Sequence, residues 1–126
     1  DIRIIASAKI VDGFDIFKAL SMGADICNSA RGMMLSLGCI QALACHKNTC
    51  PAGVATNKPS KVKGLVVEEK WKRVKNYQNE TVKDFLGLFS AAGCESLTDL
   101  KRTLINKQIG GKPVNFADIY PYPEAN

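Results

Sequence analysis

Cys39, Cys45 and Cys50 are spaced C-x5-C-x4-C, and Pro51 and Gly53 follow the last of them. Cysteine thiolates are the usual ligands of iron–sulfur clusters, and a Cys-Pro step recurs in such loops. Pro51 stops any helix and removes one backbone donor beside Cys50, while Gly53 permits a tight return of the chain. The stretch Cys39–Cys45 is apolar enough for a short helix, and His46–Thr56 is turn-rich. One thiol would then leave a helix start, one its end and one a loop, and the three could converge. Three ligands with no obvious fourth suit a 3Fe–4S cluster, which lacks one iron corner, better than a 4Fe–4S cluster.

Other chemistries compete for the same residues. Any one thiol can be a small buried core residue. Cys39, Cys45, His46 and Cys50 also make a nominal Cys3His zinc set, although adjacent Cys45 and His46 would struggle to reach one tetrahedral ion. A disulfide framework fits poorly, because five cysteines is an odd count and no signal peptide is visible. His46 is the single histidine, and in this loop capping or surface exposure suits it better than catalysis. No side chain stands out as a general acid or base, so no catalytic residue is assigned.

The elements that position the thiols begin upstream. Ile2–Ser7 is a β-branched run ending in small residues, the pattern of a buried parallel strand. Phe14–Met22 has helical spacing, with Asp12 as N-cap and Gly23 as C-cap. Ala24–Asn28 reads as a second strand, with Cys27 in the core, completing a strand–helix–strand unit. Each strand runs into a loop of small and cationic residues: Ser7, Ala8 and Lys9 after the first, and Asn28, Ser29, Ala30, Arg31 and Gly32 after the second. Backbone N–H groups at such a turn into the helical Met33–Leu37 bind anions, phosphate above all. In a (β/α)8 barrel the loops after strands seven and eight build the phosphate site.

Downstream, Lys58–Gly64 reads as a loop and Leu65–Val67 as a short extended piece. Glu68 to Ala92 reads as the longest helix, ending at Gly93, with Trp71, Val74, Tyr77 or Gln78, Val82, Phe85, Leu88, Phe89 and Ala92 on its packing face. Cys94 has no partner nearby in sequence and reads as inert. Ser96 or Thr98 would cap a further helix over Asp99–Lys107, Gly110-Gly111 would break the chain, and Phe116–Pro123 would pack back through its aromatics.

Composition narrows the classes. At 126 residues and 46% hydrophobic content the chain could bury one small core. It has no apolar run of about 20 residues, so no membrane-spanning helix is expected, and the expected location is cytoplasmic. The net charge of +5 is concentrated between Lys58 and Lys75. No nucleic-acid recognition motif accompanies it, which leaves a solvated basic face or a face toward an acidic electron donor. The chain opens at Asp1 on a strand, as a piece of something larger would.

The runs Ile5–Asp15, Gly23–Gly32, Gly38–Cys45 and Asn48–Thr56 resemble the FMN-binding domain of glutamate synthase, without large gaps from Ile2 to Val67. The resemblance implies an α/β fold: the C-terminal portion of a (β/α)8 barrel, with strands seven and eight and their helices, a cysteine loop and C-terminal helices. Residues 1–57 would end the barrel and carry the cluster loop, and residues 58–126 would supply the last barrel helix, a short helix and a tail of the same domain. A whole barrel needs about 250 residues, so half the fold or less is here.

By that resemblance Cys39, Cys45 and Cys50 map onto the 3Fe–4S ligands, and Ser7, Ala8, Lys9, Asn28, Ser29, Ala30, Arg31 and Gly32 onto the FMN-phosphate side. Ala8 departs from the family, which often has Gly there. The implied reaction is FMN-dependent reduction of 2-iminoglutarate, made from 2-oxoglutarate and ammonia, to L-glutamate. Electrons would come from ferredoxin or a pyridine-nucleotide-dependent flavoprotein subunit. Two other classes stay open: a barrel flavoenzyme with a different substrate, or a non-enzymatic metal-binding or electron-transfer module. The remainder of the barrel is an expected partner, a homo-oligomer is compatible, and the chain alone is expected to be a poor folder without activity.

Overall fold

The computed structural model describes residues 2–7 and 9–123, so Asp1, Ala8 and residues 124–126 lie outside the described residues. The described chain is a mixed α/β structure. Strand β1 (Ile5–Ala6) pairs in parallel with β2 (Ile26–Cys27), in the register Ile5 to Ile26 and Ala6 to Cys27. Asp25 extends the pairing beyond the ladder. Its carboxylate accepts from the Ile4 N–H at 2.8 Å and from Arg3 Nη1 at 3.0 Å, and these two contacts, in that order, hold its pKa down.

Helix α1 (Gly13–Ser21) joins the strands and starts where the cap chemistry requires. The Asp12 carboxylate accepts from the Asp15 N–H at 2.8 Å, and Asp15 in return accepts from the Val11 N–H at 3.1 Å. Gly23, at φ +109°, turns the chain out of the helix. Gly13 is buried, and a Cβ there would collide with the Phe85 backbone, so the start of α1 can press directly on the long helix.

Helix α2 (Ala30–Ser36) follows β2, and α3 (Pro59–Val62) begins with Pro at its first position. The long helix α4 (Val67–Ala91) packs against both α1 and α2. Its inward stripe is Val74, Tyr77, Thr81, Phe85 and Phe89. Trp71, Val82 and Leu88, expected on the packing face, are exposed at 52%, 39% and 37%, and Ala92 is exposed as well. They sit on the flank of the helix, and Thr81 fills the central position instead.

The core lies behind α1. Phe17, Cys94, Leu100 and Ile105 are buried together, and Leu20, Phe85, Phe89 and Phe116 pack around them. Cys94 is therefore a packing residue, as its isolation suggested. The C-terminal residues reach this core by a different route from the expected helix. Ser96 caps a 3-10 turn over Leu97–Asp99 with a full capping box, and a second such turn spans Arg102–Leu104. Strand β3 (Asn106–Ile109) then pairs antiparallel with β4 (Lys112–Asn115). Gly110 and Gly111, at φ +57° and +79°, make the two-residue turn between them, and a short helix α5 (Phe116–Ile119) closes the segment.

The expected aromatic return of the tail does occur. Tyr120 meets Phe116 edge-on at 5.6 Å, and the Arg102 guanidinium lies 4.3 Å from the Tyr122 ring centroid. The same guanidinium donates to the carbonyls of Tyr120, Pro121 and Met22 at 2.8, 2.9 and 3.3 Å.

Three further expectations change. The first strand is short and its isoleucines are not buried: Ile2, Ile4 and Ile5 are exposed, because nothing among the described residues covers that side of a two-stranded sheet. Lys58–Gly64 contains α3 rather than loop alone, and Val67 belongs to α4. Cys39–Ala44 is not helical, since Gln41 and Leu43 take φ +56° and +52°, which breaks any helical run. Among the described residues no helix is long and apolar enough to cross a membrane.

Candidate functional site

The two loops that follow the strands face one hollow. A cavity of about 180 Å³ is lined by Ser7, Lys9, Ile10, Asn28, Ala30 and Arg31, which brings together five of the eight residues expected around a phosphate. A neighbouring hollow of about 400 Å³ shares Ser7, Lys9 and Ile10 and extends to Asp15 and Lys18. The first has two cationic walls, Lys9 and Arg31, and no carboxylate among its described lining residues. Lys9 is held at φ +57°, an uncommon conformation outside glycine. Helix α2 starts at Ala30, so Ala30, Arg31 and Gly32 form its first turn rather than a free loop. It is only seven residues long, and the attraction for an anion rests mainly on the two side-chain charges.

Ser29 and Gly32 do a different job from the lining residues. The Ser29 hydroxyl donates to the Ile10 carbonyl at 2.6 Å and lies 3.3 Å from the Tyr77 hydroxyl. Tyr77 in turn donates to the Val11 carbonyl at 2.6 Å. Gly32 is buried against the same tyrosine, and a Cβ at that position would overlap the phenol oxygen. One hydroxyl on α4 thus ties the loop after β1 to the loop after β2. The helical spacing marks Tyr77 or Gln78 for a packing position, and nothing in the surrounding sequence signals this bridge.

The cysteine loop runs from Cys39 to Asn57. Cys39 is half-buried, Cys45 exposed at the start of a 3-10 turn (Cys45–Lys47), and Cys50 buried. The Cys39 sulfur accepts the Gln41 N–H at 3.5 Å. The main-chain N–H groups of Ala55, then Ala52, Val54 and Gly53, favour the ionised form of Cys50, and against the opposing effect of burial they hold its pKa below the usual thiol value. Cys27, by contrast, is pushed up by burial and stays a neutral thiol. His46 is exposed.

The donor chemistry of this loop suits a sulfur-ligated cluster, with three thiols on one segment and the Gln41 N–H hydrogen-bonded to the Cys39 sulfur. Among the described residues, no three His, Cys, Asp or Glu side chains gather as ligands of a single ion, so neither the nominal Cys3His set nor the three thiols by themselves are drawn together around one metal. A polynuclear cluster takes each thiolate at a different iron, and its ligands stand farther apart than those of one ion.

The loop's shape depends on polar side chains that were not singled out in the sequence. Asn48, at φ +55°, accepts the Asn57 N–H at 2.8 Å through Oδ1, which also lies 3.0 Å from the Thr56 hydroxyl. Asn in a turn beside a Cys-Pro step was the signal available. Gly53, at φ +77°, packs so closely on the Lys61 carbonyl that a Cβ would collide with it, which seats the loop on α3.

Comparison with known proteins agrees over most of this region. A family model described as a conserved region in glutamate synthase matches residues 1–95. The glutamate synthase large subunit-like protein YerD of Bacillus subtilis is 52% identical over 95 residues, which cover 75% of this chain and 18% of that protein. The archaeal NADPH glutamate synthase of Methanocaldococcus jannaschii is 36% identical over 101 residues, covering 80% and 20% respectively. An archaeal-type NADPH glutamate synthase of Thermotoga sp. is 27% identical over 125 residues, covering 97% of this chain and 25% of that protein. The chain thus spans about a fifth to a quarter of these relatives.

Proposed function

The chain belongs to the glutamate synthase family, and on that premise we propose that it forms the end of an FMN-binding (β/α)8 barrel in an oxidoreductase that makes L-glutamate. The observation that carries the reading is the pairing of a cationic hollow at the ends of two parallel strands with a three-cysteine loop downstream. Ser7, Lys9, Asn28, Ala30 and Arg31 would hold the FMN phosphate, with Ser29, Gly32 and Tyr77 fixing the loops that present them. A hollow of about 180 Å³ is smaller than the roughly 300–1,000 Å³ of pockets that enclose a whole ligand. It suits the anionic end of a flavin, and the ring would be held by the rest of the barrel. The exposed Ile2, Ile4, Ile5 and Ile26 are consistent with a sheet that continues in the parent protein.

Cys39, Cys45 and Cys50 would hold a 3Fe–4S cluster. FMN, held there, would supply hydride chemistry for reduction of 2-iminoglutarate, and the cluster would supply single-electron transfer from ferredoxin or a pyridine-nucleotide-dependent flavoprotein. The chain's own residues bind, orient and shield. Lys9 and Arg31 neutralise phosphate charge, and Cys50 is kept from water. The test is iron content in the full-length protein prepared without oxygen. Cys39→Ser, Cys45→Ser and Cys50→Ser should each lose the iron, whereas Cys27→Ser and Cys94→Ser should keep it. Stoichiometric zinc without iron in the unmodified protein would overturn the cluster assignment.

A further inference from the structure

Between Cys45 and Lys58 only Cys50 and Gly53 are buried, so apolar packing does little to hold this stretch in shape. Its neck is closed by one exposed side chain. The Asn48 Oδ1 accepts the Asn57 N–H at 2.8 Å, and its Nδ2 donates to the Asn57 side-chain oxygen. The Thr56 hydroxyl, with one proton to give, lies 2.9 Å from the Asn48 carbonyl and 3.0 Å from its Oδ1. The same hydroxyl accepts the Lys58 N–H at 3.2 Å. These contacts cross from position 48 to positions 56 and 57, and the segment they enclose contains Cys50 and the N–H groups of residues 52–55.

An exposed asparagine would find water for every one of these contacts, so its amide adds little to stability. Its backbone conformation does not require it either, because glycine adopts φ +55° freely. What the amide supplies is a fixed distance across the neck. We propose that Asn48 is a positioning residue for the cluster: by tying position 48 to Thr56 and Asn57 it fixes the main chain around Cys50 and so sets the cluster's reduction potential. This inference rests on the reading above that the loop binds a cluster. Hydrogen bonds from main-chain N–H groups to cluster sulfurs favour the more negative, reduced state. Dipoles held in place do this without the reorganisation that water would need. Opening the neck should therefore make the potential more negative.

The experiment uses full-length protein with its cluster reconstituted without oxygen, and compares the unmodified protein with three variants. Asn48→Gly keeps the left-handed backbone and deletes the clasp. Thr56→Val deletes the hydroxyl from the other side of the neck and provides a reading if the first variant does not fold. Thr56→Ser keeps the hydroxyl as the conservative rescue. Iron content, an EPR-monitored redox titration and hydrogen exchange of the amides of residues 52–55 are the readouts. The expected result is a more negative potential and about tenfold or more faster exchange in Asn48→Gly and Thr56→Val, with Thr56→Ser close to the unmodified protein. An unchanged or raised potential in loaded Asn48→Gly and Thr56→Val overturns the positioning role and leaves the cluster reading standing. Unmodified protein that takes up no iron overturns the cluster reading, and the positioning role with it.

Discussion

Behind α1, Phe17, Cys94, Leu100 and Ile105 shut water out from one another, whereas from Cys39 to Asn57 only Cys50 and Gly53 are buried. The first region draws its stability from apolar surface, at about 1.5–3 kcal/mol for each large side chain removed from water. The second is held by exposed polar contacts, which replace hydrogen bonds to water and add little net stability. The difference assigns the two regions separate tasks. The packed region fixes where α1 and α4 sit, and through Tyr77 it fixes both strand-end loops. The cysteine loop adds little apolar burial, so its shape rests on the seat of Gly53 and on the contacts of Asn48.

Three changes would break or sharpen that contrast. The largest effect is expected from Phe17→Ala. Phe17 is 5% exposed at the centre of the core, and truncation should cost about 3–5 kcal/mol, read as a lower Tm of the full-length protein. Iron bound per folded molecule should stay the same, and parallel loss of iron would mean the two regions are not separable.

Gly53→Ala should do the reverse. An alanine at φ +77° is strained by about 1 kcal/mol or more, and its Cβ would strike the Lys61 carbonyl. Iron content should fall while Tm moves little. Full iron retention would show that the seat on α3 does not matter.

The smallest effect concerns acid. Ser96 and Glu95 donate N–H groups to the Asp99 carboxylate at 2.8 and 3.0 Å and hold its pKa below the usual aspartate value. A depressed folded pKa contributes stability that is present above the unfolded value and is lost as pH falls through the folded one. Asp15 behaves alike: burial opposes its ionisation, but Lys18 and the N–H groups of Val11 and Asp15's own cap partner Asp12 outweigh it. The packed region should thus lose stability as pH drops below about 4, and Asp99→Asn should flatten that decline in a Tm-against-pH series. The clasp of Asn48, Thr56 and Asn57 holds no titratable side chain and should keep its exchange protection over the same range.

What could be read in the residues was local chemistry. Asp12 and Gly23 bracket α1, Gly93 stops α4 within a residue or two, and the two short strands fall inside the expected runs. Five of the eight residues expected on the phosphate side share a hollow, because parallel pairing brings together the segments that follow the two strands. The left-handed Gln41 and Leu43 could not be read, since neither residue type favours that conformation. Ser29 did carry a signal, as a residue type preferred at helix starts, and α2 begins directly after it. Gly110-Gly111 likewise marked a hairpin, and reading it as a plain break hid two strands. Thr81 in place of Val82 on the inward stripe is a choice made by the surfaces of α1 and α2, which the pattern of α4 alone does not contain.

The neck closed by Asn48 also has a consequence in time. All its partners lie within about ten residues, and its seat on α3 needs nothing later than Val62. The core, in contrast, joins Phe17 to Leu100 and Ile105 and has to wait for them to leave the ribosome. During synthesis the thiol loop can therefore take its shape while the body that will carry it is still unmade.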